Sequence, residues 1–246
     1  MNRLSNALLL CAALLPFGMF IPNAVVAATI PALTLLPLLF FAAIRDRRAI
    51  LAAFWFVFAL SLRWLPWPLP YIAPLVIFVT FTASVPRLRD QLSWLTLGRI
   101  DRPTLLLSVA TTLGTSFVLW IWIHTANPDV SDLRSLLPSV SVGMLVLSCI
   151  AFSIANAAWE ECLAKGILWS TLDRASLGFF EINVVQSFAF GLMHLSGFPR
   201  GPIGAALAAL YGLLIGWIRK RSGGLLVPIL THFFADATIF ALVATA

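Results

Sequence analysis

The run Trp159-Glu160-Glu161-Cys162-Leu163-Ala164-Lys165 sets two of the chain's three glutamates side by side, with one of its two lysines four residues on. Its surroundings are apolar. A charge near the centre of a bilayer costs about 2.5–3.5 kcal/mol on insertion scales, so three of them require pairing, hydration or neutralisation. An ionisable cluster of this kind marks a functional site by default. On a helix, Glu161 and Lys165 are i,i+4 neighbours in the favourable Glu-before-Lys order. Glu160 points about 100° away and shares a face with Asn156. The spacing suggests that Lys165 holds Glu161 while Glu160 is left to work.

Two further helices carry groups that suit such chemistry. Asn183, Ser187, Phe190 and His194 recur along one helical face, with Gln186 beside it. His232 and Asp236 are again i,i+4, so the carboxylate can orient the imidazole or share a site with it. Each pattern alone also has a structural reading: an ion-paired helix end, a packed histidine, a polar tether. Taken together, two glutamates, two histidines and an aspartate can activate a water. A carboxylate takes the proton, and histidines share it or hold the developing oxyanion. His124 sits at a helix end and is read as interfacial. Cys11, Cys149 and Cys162 lie in apolar runs at unrelated spacings that match neither a disulfide framework nor a zinc pattern.

The elements that must position these residues are membrane helices. Of the 246 residues, 61% are hydrophobic and 11% are charged, against about 25% charged in a soluble domain. Mean hydropathy is +0.97. The fold class is therefore all-α, a polytopic helical membrane protein with about eight or nine transmembrane helices. Helices are expected near 4–21, 24–44, 49–63, 70–85, 104–123, 137–170, 182–196, 202–218 and 225–245. Pro16, Pro31 and Pro37 should kink the first two. The first apolar run also resembles a signal peptide, and a retained span is preferred because a second apolar stretch follows at once. The stretch from Pro86 to Pro103 reads as a basic surface linker. A helix over 137–170 would reach about 50 Å against a core of about 30 Å, so it must tilt, break or protrude.

The net charge of +6 does not indicate nucleic-acid binding, because the basic residues sit in short loops. With nine spans, twelve arginines and lysines fall on the side of the N-terminus and three on the other. The positive-inside rule then places the N-terminus in the cytoplasm. From these boundaries, Glu160 and His232 lie near the inside ends of their helices and His194 lies deeper.

Glu160-Glu161-Cys162-Leu163-Ala164-Lys165 resembles the EExxxR motif of the CPBP family, which includes the CAAX proteases and bacteriocin-processing enzymes also called ABI proteins. Phe190-Gly191-Leu192-Met193-His194 resembles its FxxxH motif. His232-Phe233-Phe234-Ala235-Asp236 resembles its HxxxN motif, whose last position can be Asp. The order and helical placement match over roughly residues 137–245. The resemblance implies an intramembrane glutamic endopeptidase without a cofactor, acting on a membrane-anchored protein or peptide. It implies that Glu160 activates water with help from His194, that Glu161 and Lys165 stabilise the site, and that His232 and Asp236 stabilise the oxyanion. Lys165 stands where the family mostly has Arg and lacks the planar fork of a guanidinium. Asp236 stands where Asn is common, replacing an amide donor with an acceptor.

The expected organisation is a group of helices over 1–136 and a catalytic core over 137–246. A bacterial inner-membrane enzyme that processes C-terminal sorting signals or CAAX-type substrates fits the small chain. Two alternatives remain open. Glu160, His194 and His232 can supply a His2Glu zinc set, although the H-E-x-x-H helix is absent. A transport or immunity protein is the other, since intramembrane Glu, Lys and His also build proton relays. No inverted repeat of the transporter kind is visible.

Overall fold

The computed structural model describes residues 3–137 and 140–245, and every regular element among them is helical. Six stretches are long and apolar enough to cross a membrane: Arg3–Phe20, Ala24–Ala43, Arg102–Ala126, Val142–Arg174, Gly201–Ser222 and Leu226–Thr245. Three shorter apolar helices, Ala49–Trp64, Leu69–Ser84 and Phe179–Met193, accompany them. The chain is a polytopic helical membrane protein. All nine expected helices are present, and three are shorter than a straight crossing of about 20 residues.

The chain divides into two units, residues 1–95 with 162–216 and residues 96–161 with 217–246. The first unit begins with α1 (Arg3–Leu14), which tightens at Pro16 into a 3-10 turn over Leu15–Phe20. α2 (Ala24–Ala43) starts where the Asn23 side chain accepts from the Val25 and Val26 amides at 3.0 and 3.1 Å. It runs as one helix through Pro31 and Pro37. α3 (Ala49–Trp64) and α4 (Leu69–Ser84) follow. Pro74 in α4 has no amide hydrogen to offer the Pro70 carbonyl. The Ser61 hydroxyl of α3 donates to that carbonyl instead, at 2.7 Å. The aromatic core of this unit gathers Phe17, Trp55 and Phe58, all essentially buried.

Pro86–Leu92 is a 3-10 helix that buries Gln91, and Trp94 after it is also buried; most of the expected surface loop over 86–103 is exposed. Trp94 lies flat against Gly166, where a Cβ would overlap the indole.

The second unit contains α5 (Arg102–Ala126), the short α6 (Ser131–Ser135), α7 (Val142–Glu161) and α11 (Leu226–Thr245). Asp101 caps α5 through the Thr104 amide at 2.8 Å, and Asn127 closes it in the left-handed region. The expected helix start at 137 adjoins Pro138 and Ser139, which lie outside the described residues; α7 begins at Val142. Ser108 of α5 bonds Thr231 of α11 at 2.7 Å, and Ser116 bonds Thr238 at 2.8 Å. The linker ends here as well. The Leu225 amide donates to the Thr96 carbonyl at 2.8 Å, and the Arg99 amide to the Ser222 carbonyl at 2.9 Å. Gly98, at φ 76°, meets the Gly224 backbone so closely that no side chain fits there.

After α7 the helix continues as a π-helical segment over Cys162–Leu168, then as α8 (Trp169–Arg174). α9 (Phe179–Met193) and α10 (Gly201–Ser222) complete the set. The long helix does not break. It changes its winding within the EExxxK motif, and π-segments of this kind occur frequently at functional sites.

Candidate active site

In the second unit, α7 and α11 pack face to face and bring four of the six candidate residues together. The last turn of α7 ends on Glu160 and Glu161, and the second and third turns of α11 present His232 and Asp236. His232 Nδ1 bonds Glu161 Oε1 at 2.8 Å. Its Nε2 lies 3.5 Å from Glu160 Oε2 and 3.5 Å from Asp236 Oδ1. One imidazole therefore stands among three carboxylates, with both ring nitrogens engaged. All four residues are at most 8% exposed.

Such a cluster needs donors and positive charge to hold its carboxylates. Asn156, one turn before Glu160, gives its amide to Glu160 Oε1 and to Asp236 Oδ2, each at 3.2 Å. Trp159 Nε1 donates to the Asn156 oxygen at 3.1 Å, fixing which way the amide faces. Arg219, near the end of α10, interacts electrostatically with Glu161. The sequence places Asn156 on the Glu160 face, but its span to Asp236 requires the packing of α7 on α11. Arg219 sits in an Arg219-Lys220-Arg221 run expected in a loop. The structure places it inside α10, and its type alone did not separate it from its topogenic neighbours.

Lys165 and His194 belong to the first unit. Lys165 is fully buried, with Nζ 4.9 Å from the centroid of the Phe190 ring. The same ring lies 4.7 Å from the His194 imidazole. His194 Nδ1 bonds the Phe190 carbonyl at 2.9 Å. A carbonyl only accepts, so Nδ1 carries the hydrogen and, in the neutral ring, Nε2 carries the lone pair a base requires. The two conserved letters of an FxxxH pattern thus have separate physical duties here: the phenylalanine faces the lysine and orients the histidine. α9 ends at Met193 and not at the expected 196, and His194 is its C-cap residue.

The polar stripe of α9 divides between two sets of partners. Asn183 Nδ2 donates to the Leu213 carbonyl at 3.2 Å and Gln186 Nε2 to the Gly212 carbonyl at 3.0 Å. Ser187 Oγ turns back to the Asn183 carbonyl at 2.6 Å. These groups tether α9 to α10, leaving Phe190 and His194 at the other end. The tether requires small residues opposite. A Cβ on Gly216 would overlap the Asn183 side chain, and one on Gly191 would come within 2.7 Å of the Ala205 carbonyl.

His124 bonds the Trp120 carbonyl at 2.8 Å on an exposed helix end. Among the described residues, no group of three or more His, Cys, Asp or Glu side chains is disposed to hold a metal ion.

A multi-spanning membrane protein with buried carboxylates and histidines on its C-terminal helices is the class that fold and site define. Residues 141–238 match the family model of the type II CAAX prenyl endopeptidase Rce1-like proteins, the family that the three sequence motifs resemble. The matched segment contains all six candidate residues and supports an intramembrane protease in general terms. Searches of curated proteins and of solved structures find no match.

Proposed function

We propose that this protein is an intramembrane glutamic endopeptidase that hydrolyses a peptide bond of a membrane-anchored substrate. The observation that carries the proposal is the buried Glu160–His232–Asp236 arrangement, tied by Asn156 and lying within the matched segment. Glu160 takes a proton from water as the oxygen attacks the scissile carbonyl. It returns that proton to the leaving nitrogen as the tetrahedral intermediate collapses. His232, oriented by Glu161 and Asp236, donates to the oxyanion. Lys165 and His194 complete the set by motif correspondence. His194 shares the proton of the water through Nε2, and Lys165 offsets carboxylate charge. Residues 137–246 form the catalytic core in this reading, and residues 1–136 anchor and flank it. The substrate belongs to the C-terminal sorting or CAAX-type class, and the cell is bacterial, with the N-terminus of the enzyme in the cytoplasm.

The test compares wild type with Glu160→Ala and His194→Ala in the native host, with the abundance of each variant checked by blot. Intact masses of surface and membrane-released proteins are the readout. At least one protein is trimmed by wild type and by neither stable variant. Unchanged trimming with both variants stable would rule out a proteolytic centre at this cluster in that host. Chelators leave the trimming intact; loss of trimming with zinc rescue would instead favour the metal-dependent alternative.

A further inference from the structure

At the end of α2 and the start of α3, the first unit contains a cleft of about 700 Å³ that plays no part in the chemistry above. Its wall is apolar, formed by Leu38, Ala42, Ile50 and Ala53. Its rim carries Arg45, Arg47 and Arg87, with Asp46 as the one carboxylate. Asp46 is already engaged: the Arg48 amide and guanidinium both donate to it. That bonding holds its carboxyl below the usual range. Arg47 reaches Asp90 at 2.7 Å and also donates to the Arg87 carbonyl, which draws two arginines together. Arg45 closes α2 at φ 55° and is exposed, as is Arg87. Arg45, Arg47 and Arg87 thus line one rim, where Arg45 and Arg87 are exposed and Arg47 is shared with Asp90.

We infer that this cleft binds an anionic phospholipid, its phosphate held at Arg45, Arg47 and Arg87 and an acyl chain lying along the apolar wall. Basic pockets between helices at the membrane surface are suited to such headgroups. The apolar wall selects the lipid over free phosphate. A soluble anion satisfies the arginines and leaves Leu38, Ala42, Ile50 and Ala53 uncovered. The site also explains why the loop between two early helices concentrates three arginines and a capped aspartate. A sidedness signal alone needs positive charge anywhere in the loop.

The experiment uses the full chain in neutral detergent and native mass spectrometry with phosphatidylglycerol, phosphatidylcholine or inorganic phosphate. Wild type retains phosphatidylglycerol in preference to phosphatidylcholine. The double variant R45N/R87Q, in which Asn tolerates the left-handed position, loses roughly twentyfold of that preference, about fivefold per arginine. Its melting temperature in detergent is unchanged. R45K/R87K keeps most of the preference, and the control R99Q/R102Q keeps all of it. If the double variant does not fold, the single variants R45N and R87Q decide, at about fivefold each. A wild type without preference, or folded R45N and R87Q variants that keep it, would overturn the lipid site. So would inorganic phosphate that raises the melting temperature as much as phosphatidylglycerol does.

Discussion

Asn156 decides how close the carboxylates of α7 and α11 can stand. Its amide bridges Glu160 and Asp236, and Trp159 holds its oxygen. A hydrogen bond to a charged group is worth about 1.5–3 kcal/mol. Asn156→Ala is therefore expected to lower kcat about 10–100-fold with little change in KM, and steady-state kinetics on a trimmed substrate measure it. Asn156→Asp puts another carboxylate where the donor was and is expected to be worse than Ala. Equal kcat for Asn156→Ala and wild type would show that the bridge has no catalytic role. The amide also bears on the departure at position 236: with Asp in place of Asn, the donor beside the site comes from α7. The glutamates, His232 and Asp236 were legible because charge in an apolar helix has a cost that demands a reason. Arg219 was not, because it stands among arginines and lysines whose placement topology already explains.

At the scale of elements, the helices were legible from hydropathy to within a few residues at most ends, because lipid leaves the backbone little alternative to helix. The stripe on α9 left its role open in the sequence, because polar periodicity does not distinguish a group facing substrate from one facing a helix backbone. Asn183 and Gln186 face the backbone carbonyls of α10. The close approach of these helices depends on Gly191, and Gly191→Ala is expected to destabilise by about 1–3 kcal/mol. Thermal melting in detergent checks it against Gly114→Ala, whose added Cβ meets nothing within 4 Å. Equal melting of the two variants would contradict the tether. The π winding at Cys162–Leu168 has no sequence signal that separates it from α-helix.

The same scale gives a pH dependence. Arg47 bonds Asp90, and Arg174 lies 3.7 Å from it, so its carboxyl is held below the usual range, chiefly by the Arg47 hydrogen bond. A depressed folded value means the stabilisation is present above the ordinary carboxylate range and is lost as pH falls through the depressed value. Asp90 is half exposed, so the contribution is expected to be below about 1 kcal/mol. Asp90→Asn should lower the melting temperature slightly near pH 7, and the difference should shrink as the pH falls below the ordinary carboxylate range. A constant difference across that range would show that the ion pairs are not its source.

For the whole molecule, the candidate residues are distributed over both units: Glu160, Glu161, His232 and Asp236 in one, Lys165 and His194 in the other. The sequence motifs run in order along the chain and give no sign of this partition, since it arises from tertiary contacts between stretches far apart in sequence. The composition identified the membrane class, and the three motifs resemble the family whose model matches residues 141–238.

The most direct measurement follows cleavage by purified wild type and Glu160→Gln in water enriched in oxygen-18. The substrate is the one found by comparing the host proteomes. Wild type places one heavy oxygen in the new C-terminal carboxyl during each cleavage. Glu160→Gln, folded by its melting curve, is slowed at least about 100-fold. A folded Glu160→Gln variant that cleaves at the wild-type rate would contradict the account, because the water would then be activated elsewhere.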